Sequence, residues 1–306
     1  MSHIRRVFLA VACLMLASSG YAAEAPPYQL ARGFPRLPAG IKLGAVSGIA
    51  TDAAGNVLVL HRGDADRPAL VFDKSGTLLR SFGAGLFTST HGLRVDPDGN
   101  VWTTDNANHT VIKLSADGKV LMTLGEKNVP GDDERHFNKP TDVAFAPGGD
   151  FYVSDGYGNS RVVKFDKAGK FLLAWGKKGN GDGEFNLPHA VRLDSKANVY
   201  VADRENKRIQ VFDGNGKFLR QFAQGVSPYG LFITPDDTVF VADGVRHRVV
   251  KMTAEGKVLA EWGTGGREPG NFLMPHGICV GDDGAVYVAE VTGARVQKFA
   301  PVKKSQ

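Results

Sequence analysis

Two cysteines in 306 residues are too few for a disulfide scaffold, because Cys13 and Cys279 could make one bond at most. Long apolar runs are scarce as well, and the clearest, Val7 to Ala17, is too short to span a bilayer. No segment keeps a helical period of apolar residues beyond about 12 residues. Strong charge is also missing. The 37 basic and 32 acidic residues leave a formal +5, which is no footprint for nucleic acid. A hydrophobic content of 42% with 23% charged residues excludes intrinsic disorder. What the chain has in quantity is glycine. Its 38 glycines imply many tight turns, and so numerous short strands rather than long helices.

The first 22 residues have the pattern of a secretory signal: basic Arg5 and Arg6, the apolar centre VFLAVACLMLA, and small residues ending at Ala22. Cys13 lies inside the apolar run, too early for lipid attachment. Cleavage after Ala22 would remove two arginines and no acid, leaving a formal +3 and Cys279 as the sole cysteine. The expected mature chain, residues 23–306, is a single domain, exported to a periplasm or secreted. It is expected to be monomeric, without membrane anchor or nucleic-acid partner.

Internal repeats define the fold class. Six segments share one pattern: an apolar strand, a Gly/Asp turn, a second strand ending in most units on an acid, then two further strands. They begin VSGIATDAAGNVLVLH (Val46), THGLRVDPDGNVWTTD (Thr90), PTDVAFAPGGDFYVSD (Pro140), PHAVRLDSKANVYVAD (Pro188), PYGLFITPDDTVFVAD (Pro228) and PHGICVGDDGAVYVAE (Pro275). Successive starts lie 44, 50, 48, 40 and 47 residues apart, the spacing of four-stranded propeller blades. Phe87, Phe137, Phe185 and Phe272 each stand four residues before a key position and are expected to wedge between blades. The sixth unit runs out near Phe299 after three strands, and YQLARGFPRL (Tyr28 to Leu37) can supply the fourth. The expected fold is all-β: a six-bladed propeller closed by an N-terminal strand, leaving no free sheet edge.

The first strand of each blade lines the axis, and the loop entering it opens at one mouth of the channel. Alignment of the units puts Ser47, His91, Thr141, His189, Tyr229 and His276 at one position. The histidines fall in units two, four and six, about 120° apart around a sixfold ring, so three imidazoles converge. Three histidines with a fourth position open are a catalytic zinc arrangement, and zinc is the expected ligand. His3, His61, His109, His136 and His247 do not share the position. A second column follows each second strand: Arg62, Asn106, Gly156, Arg204, Gly244 and Val291, with Tyr157 just past Gly156. Arg62 and Arg204 beside a metal call for an anion between them, and a substrate carboxylate held by a guanidinium fork suits. DPDGN (Asp96 to Asn100) begins like a calcium loop but recurs in other units as the hairpin turn, and Ala107 stands where a closing Glu would be needed.

These residues resemble a known family. VSGIA…HRGD, HGLRVDPDGNVW, VSDGYGNSR, ADRENKRIQVF and MPHG are similar to stretches of the peptidyl-α-hydroxyglycine α-amidating lyases, which are NHL-repeat propellers. The resemblance runs from about Leu43 to Phe299. It implies that His91, His189 and His276 are zinc ligands, and that Arg62, Tyr157 and Arg204 are catalytic and substrate-binding. It implies a lyase that splits the C–N bond of an N-acyl- or peptidyl-α-hydroxyglycine, giving a primary amide and glyoxylate. Its partner is then a small molecule or peptide with a C-terminal α-hydroxyglycine-like carboxylate. A structural calcium is implied too, held by backbone carbonyls expected at Val46 and Leu93 and by an Asp after the third histidine. Gly277 stands there instead. The disulfide cysteines of the animal enzymes correspond to Asn138, Gly158, Val201 and Val211. Two other readings remain open on the residues alone: an exported propeller acting on another carbinolamide or carboxylate, or a binding module without catalysis.

Overall fold

The computed structural model describes residues 27–302; the signal segment and Cys13 lie outside the described residues. Twenty-four strands, β1–β24, form six four-stranded antiparallel sheets. The innermost strands are β2 (Val46–Thr51), β6 (Thr90–Val95), β10 (Pro140–Phe145), β14 (Pro188–Leu193), β18 (Pro228–Ile233) and β22 (Pro275–Val280). The sixth sheet runs β22, β23 (Val286–Glu290), β24 (Arg295–Pro301), β1 (Tyr28–Ala31), so the first strand of the chain closes the ring. Tyr28 pairs with Pro301, and its ring stacks on Trp262 of the fifth blade at 4.6 Å between centroids. The closing strand therefore ties two blades by ladder and by aromatic contact.

Strand burial follows position in the blade. Inner strands are buried on both faces, as in VSGIAT, whereas outermost strands alternate buried and exposed residues. The core lies between blades. Phe137 packs among Trp102 and Val111 of the second blade and Val143 and Phe151 of the third. Phe185 and Phe272 fill the same place at two other joints and are fully buried. Phe87 takes it half-buried at the first joint. Gly176, at φ +98°, and Gly263, at φ +95°, lie under Phe185 and Phe272, where a Cβ would come within 2.5 and 2.2 Å of the rings. The Asp96 hairpin is closed by the chain itself: the carboxylate accepts from the Asn100 amide at 2.8 Å and the Trp102 indole at 2.9 Å. Asn138 and Gly158 lie side by side, with the Gly158 N–H on Asn138 O at 2.9 Å. Val201 and Val211 fall in different core clusters and are not cross-strand partners.

Candidate metal centre

Each inner strand carries a register shift at its aligned position. Pairing slips between Val46 and Gly48, Thr90 and Leu93, Pro140 and Asp142, Pro188 and Ala190, Pro228 and Gly230, and Pro275 and Gly277. The bulge in each pair spans the aligned residue. A bulge re-aims a side chain at the rim of a sheet, here towards the channel. Glycine or alanine follows it in five of the six inner strands, where the strands converge, and Asp142 follows it in the third. A Cβ on Gly92 would come within 2.6 Å of Thr141 O, and one on Gly230 within 2.3 Å of His276 O.

The acids that end the second strands β7 (Val101–Asp105), β11 (Phe151–Asp155), β15 (Val199–Asp203), β19 (Val239–Asp243) and β23 anchor the incoming loops. Asp105 accepts from the Thr88 and Ser89 amides, Asp155 from Asn138, Asp203 from Asn186 and Glu290 from Leu273. Three of these contacts lie three residues before His91, His189 and His276. In the first blade His61 replaces the acid and accepts the Gly63 amide at 3.1 Å. His109 and His247 accept the Lys139 and Met274 amides, and His136 pairs with Asp133, so these histidines hold loops.

Each histidine of the aligned column is held from the next blade. His91 Nδ1 lies 2.7 Å from Thr141 O, His189 Nδ1 2.5 Å from Tyr229 O and His276 Nδ1 2.8 Å from Ser47 O. Each histidine bonds the equivalent residue of the next blade, whose backbone carbonyl can only accept. The proton therefore sits on Nδ1, and all three Nε2 atoms present lone pairs. Those atoms lie within 4.8 Å of one another, on side chains that are all buried. His91 and His189 Nε2 are 3.1 Å apart with no proton between them. The Tyr157 hydroxyl reaches both, at 3.2 and 2.9 Å, and has one hydrogen for three lone pairs.

Buried lone pairs crowded around one point repel unless a cation draws them together. Neighbouring ligands about 2.1 Å from a tetrahedral zinc stand roughly 3.4 Å apart, so the donor set and spacing fit a metal ion. Burial holds His276 down to about 3 and keeps His91 and His189 well below the usual histidine range, with neighbouring imidazoles and Arg204 adding to it. Neutral imidazoles are the form that binds metal.

A pH prediction follows from these depressed values. An unfolded histidine titrates near 6.5, so the stability these three contribute is complete above that pH and is lost as pH falls below it, for His276 down towards about 3. Melting temperatures of chelator-treated protein should fall steadily over that window, and His276→Gln should flatten the slope. Equal slopes in the two proteins would contradict it.

Above the histidines sit the residues of the second column. The Arg204 Nη1 donates to Tyr157 Oη at 3.2 Å, and its guanidinium lies 4.6 Å from the Tyr229 ring centre. Arg62 Nε and Nη2 both donate to Thr90 O, at 3.0 and 2.7 Å, beside His91. Burial raises the Tyr157 phenol, while the Arg204 and Arg62 guanidiniums pull it back. Asn106, Gly244 and Val291 bring no comparable group. Gly156 is small because a Cβ there would meet Pro188 O at 1.9 Å.

Two features escape the sequence pattern. Glu205 Oε1 accepts from Arg204 Nε and Nη2, each at 2.8 Å, so an acid already offsets one arginine. The Nε–Nη2 edge is thus engaged in both arginines, which leaves only the remaining Nη hydrogens, not that fork, for an entering carboxylate. The second is the set of backbone carbonyls of Ser47, Thr141 and Tyr229 that hold the three histidines from the next blade. The implied calcium ligands are not assembled as expected. Leu93 O accepts from Arg94 Nη1 at 2.5 Å, and the second carbonyl on that nitrogen belongs to Ile49, not Val46. Val46 instead pairs with His61 in the β2 ladder.

Fold and site together define a six-bladed propeller with three buried histidines gathered closely enough to hold a metal ion. The NHL repeat model matches residues 87–114, 137–165, 185–212 and 272–299, each match starting on one of the wedge phenylalanines. Human NHL repeat-containing protein 3 is 32% identical over 90% of this chain and 84% of its own. A probable peptidyl-alpha-hydroxyglycine alpha-amidating lyase of Caenorhabditis elegans is 37% identical over 56% of each chain. Peptidyl-glycine alpha-amidating monooxygenase B of Xenopus laevis is 34% identical over 86% of this chain, which spans about a third (34%) of that relative. The chain belongs to the NHL-repeat proteins, and the peptidyl-α-hydroxyglycine α-amidating lyases are among its relatives at 33–37% identity.

Proposed function

We propose that this chain is an exported, monomeric, zinc-dependent lyase, periplasmic or secreted. It splits the C–N bond of an N-acyl- or peptidyl-α-hydroxyglycine to give a primary amide and glyoxylate. The observation that carries the reading is the set of three buried Nε2 lone pairs with Tyr157 Oη at 3.2 and 2.9 Å from two of them. His91, His189 and His276 would hold the metal. A zinc ion bound there supplies Lewis acidity towards the substrate hydroxyl.

The reaction moves one proton. The hydroxyl oxygen becomes the aldehyde oxygen of glyoxylate, the C–N electron pair leaves on nitrogen, and nitrogen gains the proton that the hydroxyl loses. Tyr157 Oη is placed to carry it. Burial favours the phenol, and the two guanidiniums lower the cost of the phenolate present while the proton is in transit. The free Nη hydrogens of Arg62 and Arg204 orient the carboxylate and stabilise its charge through bond cleavage. Thr90 O and Glu205 fix both guanidiniums in place before substrate arrives. No electrons change hands, so no redox cofactor is required. The test is product identity: α-hydroxyhippurate should yield benzamide and glyoxylate one to one. Benzoate in place of benzamide would indicate a hydrolase, and neither product beside an active reference lyase would reject the activity.

A further inference from the structure

Below the histidines the channel changes chemistry. Strand β6 carries Arg94 three residues after His91, β14 carries Arg192 three after His189, and between them β10 carries Asp142 next to Thr141. Arg94 Nη2 and Arg192 Nη1 both donate to Asp142 Oδ2 at 2.8 Å. Arg94 Nη1 also donates to Leu93 O at 2.5 Å and contacts Ile49 O at 3.4 Å. Arg192 Nη1 bonds Val191 O and reaches Val143 O at 3.5 Å. Asp142 accepts the Val143 amide on its other oxygen, at 2.9 Å. Four neighbouring inner strands, β2, β6, β10 and β14, are thus joined around one carboxylate that is 2% exposed. The four carbonyls belong to residues two past the aligned column, so they form a ring one layer below the histidines.

A calcium ion takes six to eight oxygens at about 2.3–2.6 Å. This layer offers carbonyls already taken by guanidinium hydrogens and one carboxylate already shared by two cations. Gly277 adds none, and a Cβ there would sit 3.3 Å from both Ile49 and Ala289. Two fixed positive charges beside a divalent ion repel it strongly in a buried channel. The residues present do not fit calcium.

We propose that Arg94, Asp142 and Arg192 form a protein-only pin that takes the place of a channel cation, making the fold calcium-independent and positioning His91 and His189 for metal capture. The positioning half rests on the three-histidine reading. It follows from strand geometry: His91 and Arg94 ride on β6, His189 and Arg192 on β14, and the carbonyl holding His91 belongs to Thr141, the residue before Asp142. Burial lifts Asp142 to about 6 while Arg94 pulls it back, so the carboxylate is charged at neutral pH.

The experiment pairs melts with zinc competition on the purified chain. Wild-type protein should melt at the same temperature with calcium or with a calcium-selective chelator, and should carry no stoichiometric calcium. Asp142→Asn should lower the melt by about 5 °C or more, since it strands two buried guanidiniums. Arg94→Met leaves the Arg192–Asp142 pair neutral and serves if Asp142→Asn does not fold. Its zinc affinity, read against a chromophoric chelator, should fall roughly tenfold or more, with partial recovery in Arg94→Lys. A calcium-raised melt in wild type would overturn the pin, and unchanged zinc affinity in Arg94→Met would overturn the positioning. If wild type takes up no zinc, the histidine reading fails and the positioning with it, while the calcium melts still decide the pin.

Discussion

Alanine at His91, His189 or His276, introduced singly, is expected to release the bound metal and lower glyoxylate production by at least roughly a thousandfold. The size follows from how the site is built. Each imidazole is fixed by its own Nδ1–H to a carbonyl of the neighbouring blade, and each contributes one of three Nε2 donors. Removing one leaves two donors, short of the three protein ligands a catalytic zinc site uses. No described neighbouring side chain replaces the lost donor, because His91, His189 and His276 are the only metal-competent cluster among the described residues. His109→Ala is the matched control. That residue accepts the Lys139 amide at 3.1 Å, and its loss should cost about 1 kcal/mol of stability without touching metal content. Equal metal content in all four variants would sink the three-histidine centre.

Tyr157→Phe should separate chemistry from metal binding. The change keeps the ring and removes only the hydroxyl that lies 2.9 Å from His189 Nε2 and 3.2 Å from Arg204 Nη1. Zinc stoichiometry should be unchanged, whereas kcat should fall by about a hundred- to ten-thousandfold, the range for a positioned proton carrier. KM should move little, because in the proposed reaction Arg62 and Arg204 would hold the substrate carboxylate. An unchanged kcat would remove Tyr157 from the chemistry, and a large KM rise alone would recast it as a binding residue.

The repeats made the fold legible before any coordinates. Six copies of a strand pattern at near-constant spacing, with a short sixth unit and a strand-like N-terminal stretch, leave little choice of architecture. The histidine column was legible for the same reason, since a repeat protein converts sequence alignment into spatial coincidence. What a single sequence does not display are contacts running between units. The cross-blade Nδ1–carbonyl bonds depend on backbone atoms that carry no residue signature. The Glu205 clamp lies one residue outside the aligned column. The Val46 expectation failed on register: Ile49 and Leu93 both stand two residues past the column, whereas Val46 stands one before it. Arg94 and Arg192 read in sequence as ordinary strand residues, and only the packing of three successive blades brings both onto Asp142.

The most direct measurement is a zinc titration of chelator-stripped protein, following glyoxylate release from α-hydroxyhippurate. A single three-histidine centre predicts activity that is absent at the start, rises linearly with added zinc, and levels at one equivalent per chain. Activity that persists in the stripped protein, or that keeps rising well beyond one equivalent, would contradict it.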